Sequence, residues 1–233
     1  LCAMPISDHV TVVREAVAEA RERIAAARAR GGHGQEVTLI AVTKTHGPEA
    51  VEAAYAAGVE DVGENRVQEA ERKMAQVTVP VRWHLIGHLQ TNKAAQVHRF
   101  HLLHSLDRDR LANALQEEMR RRETVLDVLV QVNVSGEASK GGYEPAALPA
   151  LADRLHELRN LRVRGVMTMA PFDAEEATLR HVFAGAREAR AELQRRGHEA
   201  PVLSMGMSGD FEIAVEEGAT HVRLGTMLFG HRG

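Results

Sequence analysis

Residues 37–58 read VTLIAVTKTHGPEAVEAAYAAG, and this stretch defines the repeating unit of the fold. Residues 37–43 are a short apolar run rich in β-branched side chains, which is typical of a buried strand. Pro48 then opens a helical stretch, and Gly58 suits the position just after a helix. The unit therefore predicts a strand followed directly by a helix.

The same order of strand and helix recurs along the chain. Eight apolar runs predict strands, at 37–43, 59–63, 81–87, 102–106, 125–134, 161–169, 202–206 and 221–225. Helical patterns lie between them, at 65–77, 90–98, 108–122, 145–159, 175–196 and 210–217. Alternating strands and helices indicate parallel βαβ units, and eight of them in 233 residues match a closed barrel. We therefore predict an α/β fold, a single-domain (β/α)8 TIM barrel covering residues 1–233.

An extra helix precedes the predicted barrel. Residues 6–30 carry Val10, Val13, Val17 and Ile24 at helical spacing, and the barrel then spans about 37–230. The alternative architecture is an open doubly wound sheet, which usually has a Gly-rich GxGxxG turn after its first strand. Here TKTHGPEA occupies that place, which favours the barrel.

Composition excludes several classes of function. A net charge of −3 argues against a nucleic-acid surface. The single cysteine, Cys2, excludes an intramolecular disulfide and a Cys-based zinc cluster. No apolar run reaches the roughly 18 residues of a membrane span, and LCAMPISDHV at the start does not resemble a signal peptide. We expect a cytoplasmic monomer that at most dimerises weakly.

Lys44 stands at the end of the first predicted strand, on the face where α/β barrels carry their sites. A lysine that is partly desolvated there loses its proton more readily, which makes it a candidate Schiff-base nucleophile. The alternative is a lysine that simply extends into solvent. Only four of the 29 basic residues are lysines. Lys73 and Lys93 are predicted to be exposed on helices, so Lys140, in the loop after the fifth strand, is the one competitor.

Small residues fill the loops after the seventh and eighth predicted strands. These loops bind phosphate in many barrels, and free backbone amides at a helix start favour anions. Ser208 or Asp210 is predicted to cap the helix that follows. The alternative is an ordinary pair of turns, but together with Lys44 the loops predict a pocket for a phosphorylated aldehyde. The loop residues concerned are Ser204, Gly206, Ser208, Gly225 and Thr226.

Strand alternation along HVRLG places His221, Arg223 and Gly225 on one face. The apolar residues between them should face the helices, so Arg223 is predicted to point into the barrel. A buried guanidinium needs an acceptor, which the ring nitrogen of a heteroaromatic ligand would supply. The alternative is an internal ion pair with Glu64.

Two more stretches offer candidate site residues. Asn65 follows the second strand, where it either lines the pocket or acts as a helix N-cap, with Gln68 completing a capping box. His84 and His88 share one strand face, as the ligands of some metals do. No third ligand accompanies them at motif spacing, so a metal site is a minor alternative.

Seven segments in order resemble the pyridoxal phosphate homeostasis proteins, also called the YggS or PROSC family, from about residue 10 to residue 231. The segments are AVTKTHGPEAVEAAYAAG, DVGENRVQEA, WHLIGHLQTNK, HSLDRDRLA, VQVNVSGEASKGG, RGVMTM and LSMGMSGDFEIAVEEGATHVRLGTMLFG. The resemblance implies a fold like the N-terminal domain of alanine racemase. It also implies that pyridoxal 5′-phosphate (PLP) is held as an internal aldimine on Lys44.

The resemblance further assigns roles to the site residues. It implies phosphate contacts from the SMGMS and RLGT segments, which contain the five small loop residues named above. Asn65 would approach the cofactor ring, Arg223 would face the pyridine nitrogen, and His84 would lie near the pocket. Where many relatives read SKTKP, this chain reads TKTHG at 43–47, so a second lysine is missing, and Arg66 replaces a frequent aromatic residue.

The family implies a protein that binds and buffers PLP without established catalysis. Arginine keeps its proton, so Arg223 would leave the ring nitrogen unprotonated and the ring a poor electron sink. Racemases with the same arginine take a second base from another domain, and we expect none in a chain ending at Gly233. One alternative is a PLP-dependent enzyme, such as a minor racemase or decarboxylase. Another is an interaction protein that docks on PLP-dependent apoenzymes.

Overall fold

The computed structural model describes residues 6–137 and 141–230, so Cys2 and Lys140 lie outside the described residues. Eight parallel strands form one closed barrel in chain order, and the last strand returns to pair with the first. The prediction of a (β/α)8 TIM barrel is confirmed, and the alternative of an open sheet is wrong.

The strands and helices follow one another in strict alternation after the first helix. The strands are β1 (Thr38–Val42), β2 (Asp61–Glu64), β3 (Arg82–Leu85), β4 (Leu102–Leu106), β5 (Leu126–Gln131), β6 (Leu161–Met167), β7 (Val202–Ser204) and β8 (His221–Leu224). The α-helices are α1 (Ile6–Gly31), α2 (Pro48–Ala56), α3 (Val67–Met74), α4 (Asp109–Arg121), α5 (Leu148–Leu155), α6 (Glu176–Arg195), α7 (Phe211–Glu216) and α8 (Thr226–Phe229). No helix within 6–137 and 141–230 is both long and apolar enough to cross a membrane.

Helix α1 is the predicted extra helix, and it packs across α2 and α7. Val13, Val17 and Ile24 are buried in this contact, and each such side chain contributes about 1.5–3 kcal/mol of transfer free energy. At its end, a Cβ atom on Gly31 would lie 2.5 Å from the backbone oxygen of Glu216, so only glycine permits this approach. Helix α1 is therefore part of the main apolar core.

The helix predicted at 90–98 is a 3-10 helix over Thr91–Arg99. Its buried residues Ala94 and Val97, with Phe100 just beyond, recur every third position. This spacing matches three residues per turn and places all three side chains on one line. The predicted helix at 145–159 likewise begins with a 3-10 turn at Pro145–Ala147.

The barrel interior differs from the apolar layer between barrel and helices. It contains a small apolar cluster of Leu102, Leu129 and Met167. Barrel interiors are usually filled by branched apolar residues, yet here His84 and His104 are also fully enclosed. Buried polar groups cost free energy unless they are hydrogen-bonded, so these two rings require partners inside the barrel.

Candidate functional site

Three neighbouring strands carry inward-pointing residues at one level of the barrel. Ile40 of β1 pairs with Asp61 of β2 on one side and with Arg223 of β8 on the other. Paired residues on adjacent strands share a face, so these three side chains point into the barrel. Arg223 therefore has the inward orientation that alternation predicts.

The guanidinium of Arg223 is buried, with 4% exposure, and binds two neutral groups. It donates to Ser204 Oγ at 2.6 Å and to the Thr168 carbonyl oxygen at 3.0 Å. Burial lowers its pKa to about 10, and the charge of Asp210 partly offsets this effect. The predicted alternative of an ion pair with Glu64 is wrong, because Glu64 is paired elsewhere.

Lys44 follows β1 at the C-terminal mouth of the barrel and shares the inward face of Ile40 and Val42 by alternation. Its side chain is exposed, so the partial desolvation expected from its position is not found. The next residue, Thr45, has a left-handed backbone with φ of 68°, which is strained for a β-branched residue. The turn carrying Lys44 is thus held in an unusual conformation.

The side chain of Lys73 is buried and fixes the turn that carries Lys44. The prediction that Lys73 is exposed is therefore wrong. Its Nζ atom donates to Glu64 Oε1 at 2.6 Å, to the Thr43 carbonyl oxygen at 2.7 Å and to Glu69 Oε1 at 3.0 Å. Glu69 Oε1 also accepts the backbone N–H of Thr45 at 2.5 Å. This group, which we name the Lys73 anchor, therefore holds the backbone on both sides of Lys44.

A sequence signal for the Lys73 anchor exists. Val67, Ala70 and Lys73 are spaced by three on α3, and all three are buried. Helical residues three apart share a face, so Lys73 lies on the face that packs against the barrel. Because lysine is usually exposed, its residue type alone does not predict that Lys73 belongs to this buried face.

The loops after β7 and β8 are joined through Ser208. Its Oγ accepts the backbone N–H of Gly225 at 3.3 Å and that of Met227 at 3.2 Å. Two amides therefore converge on one oxygen beside Thr226. Asp210 is the N-cap residue of α7 but makes no capping hydrogen bond to the helix, and it accepts the Met207 N–H at 2.6 Å instead.

Gly206 sits where the β7 loop passes closest to α7. Its φ is 91°, and a Cβ atom there would lie 2.7 Å from the Cβ of Ala214. Its carbonyl oxygen accepts the N–H of Arg223 at 3.0 Å. Only glycine satisfies both the conformation and the close contact, so Gly206 fixes the β7 loop beside β8.

Asn65 does not cap the helix that follows it, and Ser204 is buried between two polar partners. Helix α3 begins after Arg66, which is its N-cap residue without a side-chain capping bond, so the capping role predicted for Asn65 is wrong. Asn65 is half-buried and follows Gly63 on the inward face. The hydroxyl of Ser204 is fully buried and bonded to Arg223 and to His104.

His84 lies in the interior, and its ring nitrogens contact Asp61 Oδ1 at 2.8 Å and His104 Nε2 at 3.0 Å. His88 is mostly exposed and contacts Asp107 Oδ2 at 2.8 Å, so the structure does not bring the two histidines together. Across 6–137 and 141–230, no group of three or more His, Cys, Asp or Glu side chains is arranged to hold a metal ion. His104 and Asp61 were missed as interior residues by sequence reasoning.

Fold and site together define a barrel of the alanine racemase N-terminal domain class, and that family matches residues 17–233. The Pyridoxal phosphate homeostasis protein of Aquifex aeolicus is 45% identical over 222 residues, covering 94% of this chain and 97% of that protein. Its namesake in Pseudomonas aeruginosa is 44% identical over 226 residues, covering 96% and 97%. The chain belongs to the family of pyridoxal phosphate homeostasis proteins, which confirms the resemblance.

Solved structures agree with this assignment. PipY of Synechococcus elongatus, solved with PLP bound, has a TM-score of 0.82 and 38% identity, covering 94% of this chain and 100% of that chain. Alanine racemase from Corynebacterium glutamicum has a TM-score of 0.73 at 16% identity, covering 96% and 61%. The second likeness shows a shared fold alone.

Proposed function

We propose that this protein binds PLP at the C-terminal mouth of the barrel and serves intracellular PLP homeostasis without turnover of a substrate. The observation that carries the proposal is the junction of β1 and β8. It places an exposed amine, Lys44, one strand away from a buried guanidinium, Arg223. The PLP-bound PipY structure supports the same ligand class.

The donor groups present fit the chemistry of PLP. Lys44 offers a primary amine, and the amides of Gly225 and Met227, which donate to Ser208 Oγ in this structure, lie together where a phosphate oxygen would take over that contact. Gly206, Ser208 and Thr226 belong to the same two loops. We propose that these loops bind the phosphate, that Asn65 borders the ring, and that Arg223 donates to the ring nitrogen. Ser204 then orients Arg223 by accepting its hydrogen bond, and His84 lies deeper in the barrel interior.

We propose that Lys44 Nζ attaches the cofactor covalently. PLP supplies an aldehyde that condenses with an amine, forming a C=N bond and releasing water, and a ring that stabilises carbanions when its nitrogen is protonated. The Lys73 anchor fixes the backbone on both sides of Lys44, so the amine is delivered from a rigid turn.

Arg223 limits the carbanion chemistry open to the proposed site, which supports the proposed lack of catalysis. A guanidinium donates hydrogen bonds but does not release its proton, and a pKa of about 10 keeps it charged at neutral pH. The nitrogen that it faces therefore gains a hydrogen bond and no proton. Both ring nitrogens of His84 and of His104 are also committed to partners in the interior. The site thus holds an aldehyde cofactor without activating it.

Borohydride reduction of the PLP-loaded protein, followed by mass analysis of the labelled peptide, tests the attachment. We expect label on the peptide containing Lys44, and loss of the visible absorbance band in Lys44→Ala. Lys93→Ala is the matched control and should keep the full band. Label on the peptide containing Lys140 alone would refute the site assignment, whereas additional label there would identify a second PLP site.

Solvent deuterium exchange separates this function from a PLP-dependent enzyme. We expect no Lys44-dependent exchange of the α-proton of amino acids, and measurable exchange would favour a racemase-like activity. Transfer of PLP to an apoenzyme tests the docking alternative. A transfer rate above the rate at which the protein releases PLP into solvent indicates a complex, whereas transfer through solvent cannot exceed that release rate.

A further inference from the structure

A continuous series of hydrogen bonds crosses the barrel interior from Arg223 to Asp61. Arg223 Nη1 contacts Ser204 Oγ at 2.6 Å, and Ser204 Oγ contacts His104 Nδ1 at 2.9 Å. His104 Nε2 contacts His84 Nδ1 at 3.0 Å, and His84 Nε2 contacts Asp61 Oδ1 at 2.8 Å. All five residues are buried. We name this series the core chain.

The two ends of the core chain fix the position of every proton between them. A guanidinium only donates, and a carboxylate only accepts. Burial alone would raise the pKa of Asp61, but the hydrogen bonds from Arg82 and His84 outweigh it and hold that pKa well below the usual range. With Asp61 ionised and both rings neutral, one order remains. Ser204 donates to His104, His104 Nε2–H donates to His84, and His84 Nε2–H donates to Asp61, as assigned from the network.

We propose that Asp61 is a positioning residue for Arg223, acting from the far end of the core chain through all of its hydrogen bonds. By accepting the last hydrogen bond, Asp61 sets the direction of the chain and keeps a lone pair of Ser204 turned toward Arg223. The guanidinium is thereby oriented without being neutralised. The proposal rests on the proposed function, because orientation matters when Arg223 donates to a bound PLP ring.

Loss of the acceptor at Asp61 releases this order. His104 is then free to carry its proton on Nδ1 and to donate to Ser204 Oγ, so the Ser204 proton loses its acceptor and the hydroxyl is no longer held in one orientation toward Arg223. The hydrogen bond that fixes Arg223 weakens, although no group near the cofactor has changed. Losing about one hydrogen bond of ordinary strength corresponds to roughly fivefold to tenfold weaker PLP binding.

Asp61→Leu tests the proposal, because leucine has a similar size and no acceptor atom, whereas asparagine would keep an amide oxygen for His84. The chain also offers a matched control. Asp127 at the start of β5 receives a two-pronged contact from Arg162, at 2.6 and 2.9 Å. Arg82 contacts Asp61 in the same way, at 2.8 and 2.6 Å. Among the described contacts, Asp127 has no hydrogen bond to the core chain. We expect Asp61→Leu to weaken PLP binding about fivefold and Asp127→Leu to leave it within about twofold.

A double-mutant cycle with Ser204→Ala separates transmission from general destabilisation. Ser204→Ala removes the hydroxyl that joins Arg223 to the rest of the core chain. If the effect of Asp61 travels through that hydroxyl, Asp61→Leu has no further effect on PLP affinity in the Ser204→Ala background. Additive effects of the two substitutions, or an equal effect of Asp127→Leu, would overturn the proposal. Melting temperatures measured in parallel show whether each variant folds.

The proton order can also be observed without cofactor. Long-range 1H–15N correlation spectra of the PLP-free protein report the tautomer of each ring. We expect His84 and His104 both as Nε2–H in the native chain, with His104 shifting toward Nδ1–H in Asp61→Leu. An imidazolium or an Nδ1–H ring in the native chain contradicts the core chain. The predicted tautomers in a protein that binds no PLP would overturn the proposed function and leave the proton order standing.

Discussion

Replacing Lys73 with methionine removes the centre of the Lys73 anchor at nearly constant side-chain volume. The Glu64 carboxylate is fully buried, and its Oε2 atom already has no hydrogen-bond partner in the described structure. Breaking a buried ion pair from one side typically costs about 3–5 kcal/mol, because a charge is left without compensation. The Thr43 carbonyl also loses a donor. We therefore expect Lys73→Met to lower the free energy of unfolding by about 3–5 kcal/mol.

Urea unfolding with paired variants isolates that charge. Lys93→Met is the control, because the Lys93 amine makes no ion pair among the described contacts, and it should change stability by less than about 0.5 kcal/mol. Lys73→Met combined with Glu64→Gln removes the buried unpaired charge and should recover at least half of the loss. A single substitution costing less than about 1 kcal/mol, or a double variant no more stable than the single one, would refute the reasoning.

Two further predictions concern backbone packing and pH. Gly206→Ala should lower the free energy of unfolding by about 2–4 kcal/mol, because its Cβ would overlap Ala214 and the backbone has a positive φ. The control Gly209→Ala, whose Cβ would have no atom within 4 Å, should lower it by less than about 0.5 kcal/mol. Burial lowers the pKa of His104 well below its usual value. Below about pH 6.5 the unfolded chain therefore binds a proton that the folded chain does not, so stability decreases as the pH is lowered. Urea midpoints should show that His104→Gln reduces this slope by about 1.4 kcal/mol per pH unit between pH 6 and 5, and an unchanged slope would contradict the assignment.

Local patterns predict the parts of the structure that depend on neighbouring residues. The alternation of apolar runs and helical stretches yields eight strands, and strand alternation places Arg223 inside the barrel. Sequence position also places Lys44 at the mouth. These features follow from the periodicities of strands and helices, which are visible within a few residues.

The interior contacts depend on register between distant strands, which no local pattern contains. His104 and Ser204 meet although a hundred residues separate them in the chain. The Lys73 anchor was missed because lysine is almost never fully buried unless paired, and its partners lie on other elements. Glu64 was accordingly considered only as the alternative partner of Arg223, the buried cation recognised from sequence.

The pairing of β8 with β1 means that the mouth of the barrel is completed late, by the last strand of the chain. Its amine comes from the first strand, and its guanidinium and converging amides come from the last, so the two halves are distant until the cylinder closes. A chain still emerging from the ribosome, with only the early strands made, presents Lys44 without Arg223 and without the converging amides. The proposed PLP site is therefore complete only when the last strand has closed the barrel.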